Sequence, residues 1–229
     1  MTTTQIRRLL LAAVAVLAFA ATGATQEKSS ALLNVPEVRQ LVARAEPADN
    51  ARLSAHFTAL AEQYAREAKR HIAMSKSSVG NPSRTIATGM SAHCTRLAEL
   101  NTQSATTARE LAAHHQKLAT GVPSTPPAGS ASLQSGAGAR RPTDKELADL
   151  AAKATTPADH RGLEEYFLTL AKRYTADADE HVRLAQTYRG TRLAAAAVHQ
   201  DALARLTRES AREANDAAAM HEQLAGIGR

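Results

Sequence analysis

Residues 53–71 read LSAHFTALAEQYAREAKRH, and residues 163–181 read LEEYFLTLAKRYTADADEH. Leu, Phe, Leu, Tyr, an acid and His recur in one order and at one spacing. Leu53, Phe57, Leu60, Tyr64, Glu67 and His71 answer Leu163, Phe167, Leu170, Tyr174, Asp177 and His181. A second correspondence follows, residues 93–119 against 199–225. The chain is a tandem duplication of a helical hairpin. Apolar positions recur at alternating steps of about four and three, which is a heptad seam. In the second helix of copy one the seam runs Cys94, Leu97, Asn101, Ser104, Ala108, Leu111, His115 and Leu118, with several polar or small members.

The expected fold is all-α, two long hairpins in tandem. They close into an up-down-up-down four-helix bundle or remain a coiled-coil-like pair. A lone two-helix hairpin with an alanine core is marginal, which favours the bundle. Composition agrees: hydrophobic residues make up 44% of the chain but aromatics only 3%, so Ala and Leu must build the core. Each copy opens with a short helix, at 36–45 and at 145–154, the second capped by Thr143. A new start signal then precedes each long helix. Thr156, Pro157 and Asp159 supply cap, first-turn proline and acid in copy two, whereas copy one has Glu46 in place of a hydroxyl cap. The first long helix of each copy is expected over about 48–76 and 157–189. Gly190 ends the latter, and Thr191 is placed to cap the next helix at once.

Residues 1–24 have the pattern of a secretory signal peptide: Arg7 and Arg8, an apolar run from Leu9 to Leu17, then small residues. The run is too short to read as a retained span, so no integral membrane segment is expected after cleavage. The chain divides into this leader, a first hairpin unit over 25–120, a linker over 121–143 rich in Pro, Gly, Ser and Ala, and a second unit over 144–229. The expected location is periplasmic or secreted. Cleavage removes two arginines and no acid, lowering the formal charge from +6 to +4. The remaining charges interleave as on solvated helix faces, and no basic run or aromatic platform points to nucleic acid. The sole cysteine, Cys94, has no partner for an internal disulfide. In an oxidising compartment it must be buried, liganded or paired with another chain.

Three histidine pairs are preserved between the copies: His71 with His181, His93 with His199, and His115 with His221. His71 and His93 stand equally far from their hairpin turn, as do His181 and His199, roughly 13 Å from the tip at 1.5 Å per residue. Glu67 and Asp177 precede the first-helix histidines by one turn and share their face. The candidate metal ligands are therefore Glu67, His71, His93 and Cys94 in copy one, and Asp177, His181 and His199 in copy two. Imidazole and thiolate suit zinc or copper. Met74 and Met90 add thioethers in copy one only, where copy two has Leu184 and Ala196, with Gln200 in place of Cys94. The plainer expectation is that these histidines form polar layers that set helix register. His221 is expected level with His160, a partner replaced by Asn50 in copy one, and the hydroxyls of Tyr64 and Tyr174 at the rim. His93 and Cys94, adjacent on one helix, diverge by about 100° and make no catalytic dyad. No catalytic residue is assigned. The functional class expected is a non-enzymatic structural or interaction module, with a protein partner or a second copy, and a copper or zinc buffer or chaperone as the alternative.

Overall fold

The computed structural model describes residues 32–120 and 142–227. The leader expected over 1–24, and the linker expected over 121–143 up to residue 141, lie outside the described residues. Six α-helices are present among them: α1 (Val35–Arg44), α2 (Pro47–Ser78), α3 (Arg84–Leu118), α4 (Asp144–Lys153), α5 (Pro157–Arg189) and α6 (Ala197–Ile227). The fold is the all-α pair of helical hairpins read from the repeat, and the hairpins pack together.

Local signals explain the helix starts. Asn34, Thr143 and Thr156 each form a capping box with the acid three residues on, namely Glu37, Glu146 and Asp159. Pro47 and Pro157 occupy the first turn, where a missing N–H costs nothing. Glu46 makes no side-chain cap, as its chemistry implies. The start of α6 differs from expectation. The Thr191 hydroxyl donates to the Tyr188 carbonyl at 2.8 Å and accepts from Leu193 N–H at 3.1 Å. It is thus spent on the turn itself, and a 3-10 turn, Ala194–Ala196, precedes α6.

Within each copy the long helices form the hairpins α2–α3 and α5–α6, and α3 also packs on α6. The short helices cross over: α1 lies on α5 as well as α2, and α4 lies chiefly on α2. This pattern is unchanged by exchanging the copies, which is the symmetry of an approximate two-fold. Two apolar cores result. One joins Val38, Leu41 and Val42 of α1 to Leu53 and Phe57 of α2, Leu111 of α3, Tyr188 of α5 and Leu203 of α6. The other joins Leu147 of α4 to Leu163 and Phe167 of α5, Ala217 of α6, Met74 of α2, and Ile86, Met90 and Cys94 of α3. Each core thus combines the base of one hairpin with the tip of the other, so the hairpins lie antiparallel.

The tips hold the short helices in place. Asn81, in the first tip, donates to the carbonyls of Ala151 and Ala154 at 3.3 and 3.0 Å, capping the C-terminal end of α4. In the second tip Arg192 donates to the Ala45 carbonyl at the end of α1, where Ala45 adopts a left-handed conformation. The α3 seam is buried from Cys94 to His115, while Leu118 is 40% exposed at the fraying end. Its polar members turn back on the helix. Asn101 and Ser104 donate to the carbonyls four residues earlier at 2.8 and 3.0 Å, and Thr207 and Ser210 of α6 do likewise. A Cβ at Gly89, where α3 meets α6, would lie 2.6 Å from Sδ of Met220, whose side chain would have to shift.

Cutting a protease site inserted between residues 120 and 142 should leave the halves associated on size exclusion, because each core needs both. Separation into independent folded halves would contradict the shared cores. Asn81→Ala should cost about 1–2 kcal/mol in urea unfolding, from two lost bonds to buried carbonyls.

Candidate functional site

Each histidine's role is set by which helix it meets. His181 is buried on α5 and bridges two others: Nδ1 lies 2.8 Å from Oε1 of Gln200 on α6, and Nε2 3.1 Å from the Tyr64 hydroxyl on α2. A carbonyl oxygen only accepts, so Nδ1 carries the proton and Nε2 accepts from the tyrosine. His115 on α3 repeats the arrangement. Its Nδ1 lies 2.8 Å from Oδ1 of Asn50 and its Nε2 2.7 Å from the Tyr188 hydroxyl. The Asn50 amide nitrogen is spent on the carbonyls of Ala45 and Glu46, which orients its oxygen toward the ring. Tyr64 and Tyr174 therefore differ from expectation. Their hydroxyls are buried, one on His181 and the other accepting from Asn101 at 2.7 Å.

The second-helix histidines turn elsewhere. His93 Nδ1 lies 2.7 Å from Glu213 on α6, and His199 Nδ1 3.7 Å from Glu110 on α3. Both face the α3–α6 seam. His181 is level with residues 199 and 200, but the residue it meets is Gln200, one position and about 100° further round. Cys94 is the counterpart of Gln200 and is wholly buried in the second core, where burial pushes its thiol up to about 12. Burial is thus the fate of the lone thiol.

Of the two carboxylates singled out with these histidines, Glu67 is taken by arginine. Glu67 accepts from Arg173 of α5 and from Arg70, each at 2.9 Å, and Arg70 reaches Asp144 at the start of α4. Burial opposes the charge of Glu67, but Arg173, Arg70 and His71 prevail and hold its carboxyl below the usual range. Asp177, its counterpart, is raised to about 6 by burial and by the Glu67 charge, with Arg173 opposing. The Arg173 guanidinium also stands 5.3 Å over the Tyr174 ring. This ion cluster joins α2, α5 and α4 midway between the two cores.

The repeat-related counterpart of each bridging histidine is kept, but its partners are not. His71 is wholly buried and neither ring nitrogen has a hydrogen-bond partner. His221, the counterpart of His115, lies with Nδ1 3.3 Å from Nδ1 of His160 and Nε2 3.3 Å from Sδ of Met90. The level of His160 and His221, and the Asn50 replacement, are as the repeat implies. The residues that sequence reasoning passed over are Tyr188, Arg173 and His56. The last is buried and accepts from Leu33 N–H at 3.0 Å. Pairing His115 with Tyr188 needed the antiparallel docking, which no local signal announces.

Among the described residues, no group of three or more His, Cys, Asp or Glu side chains is arranged to hold a metal ion. No helix among them is long and apolar enough to cross a membrane. An open depression between α2 and α3, bounded by Ile72, Lys76, Ala98 and Glu99, marks the outer face of the first hairpin. Comparison with protein-family models, with curated proteins and with solved structures finds no match for the chain.

Burial holds His56, His71, His181 and His221 down to about 4, and His115 to about 3, against an ordinary value of 6.5. The unfolded chain takes up protons first on acidification. Stability is therefore complete above about pH 6.5 and falls toward pH 4. Asp177, raised to about 6, and Glu180, also raised by burial, work in the opposite sense, but the five histidines outnumber them. Urea unfolding between pH 7 and pH 5 should lose stability faster than a single group allows, more than about 1.4 kcal/mol per pH unit. A His181→Gln, His115→Gln double variant should flatten that slope. Glu67→Ala should destabilise by about 3 kcal/mol, since it leaves Arg173 and Arg70 without their shared anion.

Proposed function

We propose that the protein is an exported, non-enzymatic helical bundle that serves as a structural or interaction module in the periplasm or outside the cell. The observation that carries this reading is that its reactive side chains are bonded internally or sealed from solvent. His181 and His115 cross-link helices, Glu67 neutralises two arginines, and Cys94 is sealed in an apolar core. Groups locked in this way fix register rather than meet a substrate. The charges that remain outside, such as the chain Arg96–Glu209–Arg205 across α3 and α6, are those of a solvated contact surface. Its partner is another protein or a second copy of the chain. Export rests on the sequence of residues 1–24.

Mass spectrometry of exported protein should find the mature chain starting at about residues 21–25; a full-length, membrane-bound species would overturn export. Photo-cross-linking in the native cells, from exposed Ile72, Leu168 and Val198, tests the module reading. A discrete adduct is expected from at least one of them and none from buried Leu203. No adduct from any exposed position would count decisively against an interaction role.

A further inference from the structure

The two halves of the bundle differ in what their buried imidazoles face. Around the first core, His115 and His181 meet only oxygen, from Asn50, Gln200, Tyr188 and Tyr64. Around the second core, sulfur stands in those places. His221 sets Nε2 3.3 Å from Sδ of Met90, where His115 has the Tyr188 hydroxyl. Cys94 stands where copy two has Gln200, one turn after Met90 on α3. His71 is wholly inaccessible with both nitrogens unused. Met74, Met90 and Cys94 are likewise fully buried in that one cluster. Met90 and Cys94 are four residues apart and share a face of α3.

We propose that this half of the bundle binds one monovalent copper ion, with Met90 Sδ and His221 Nε2 as its paired donors and Cys94 Sγ as the third. Thioether and thiol sulfur beside imidazole select soft Cu(I) over zinc or the hard cations. The 3.3 Å separation of nitrogen and sulfur is the span of two ligands on one small ion. With bonds of roughly 2.0 and 2.3 Å it corresponds to an angle of about 100°. Charge points the same way. Copper binding displaces the Cys94 proton to solvent, and Cu(I) with one thiolate is neutral overall. A dication would leave net charge in an apolar core. The second shell is in place as well. With the ion on Nε2, His221 carries its proton on Nδ1 and donates it to Nδ1 of His160, 3.3 Å away. The first core, with Ala196 and Gln200 at the positions of Met90 and Cys94, has no such set.

The test uses the reduced, metal-free mature chain under anaerobic conditions, titrated with Cu(I) against a coloured Cu(I) chelator. One equivalent should be withdrawn from the chelator, with nitrogen and sulfur neighbours in the copper X-ray absorption spectrum and a raised Tm. Met90→Leu and Cys94→Ser, nearly isosteric and checked for unchanged helicity, should each weaken binding at least about tenfold. His115→Gln, in the other half, should leave it unchanged. His221→Gln should also weaken binding, and if it fails to fold the Met90 and Cys94 variants still decide the matter. The proposal is overturned if the chelator keeps the copper, if Met90→Leu and Cys94→Ser bind like the parent, or if the bound copper shows no sulfur. The histidines of the second half are then packing residues alone.

Discussion

An antiparallel pair of alanine-rich helices approaches closely but buries little apolar area per residue, and every other feature of this bundle follows from that constraint. Neither hairpin has a core of its own. Each lends its base to one core and its tip to the other, and each short leading helix lies partly on the opposite copy. The capping of α4 by Asn81 and of α1 by Arg192 belongs to the same economy. A side chain at one copy's turn satisfies carbonyls at the end of the other copy's short helix, so docking completes helices that would otherwise end unsatisfied.

Small side chains also leave little apolar bulk with which to specify register. Buried polar groups supply it. A slip of one residue would take Asn50 and Tyr188 away from His115, and an unpaired buried imidazole is expensive. The Glu67 cluster acts at the middle of the molecule in the same way, since Arg173 and Arg70 must both reach one carboxylate. Such a cluster adds little net stability against an apolar substitute, but it penalises every misaligned packing.

Duplication let the two halves diverge under one geometry. The first half retained hydroxyl and amide partners that satisfy each imidazole. The second exchanged them for Met90 and Cys94 and left His71 without a bond. A fully buried, unsatisfied imidazole such as His71 costs stability wherever it sits.

The repeat, the six helices, the caps at Thr143 and Thr156 and the paired hydrophobic seams were legible in the sequence, because they depend on periodicity and on residues at most four apart. The Asn34 cap was passed over, and Thr191 is spent on the turn before α6. The three histidine pairs were legible too, as was the level at which each stands. The identity of each partner was decided by the tertiary structure alone. His181 meets Gln200 rather than His199 because a helix rotates about 100° per residue, and the supercoiled pairing of two helices selects which of two adjacent positions faces inward. Tyr64 reaches His181 and Tyr188 reaches His115 across the two copies, with 117 and 73 residues of chain between them. Contacts that distant are set by how whole hairpins dock, and docking is a property of complete apolar surfaces that no local stretch of sequence displays.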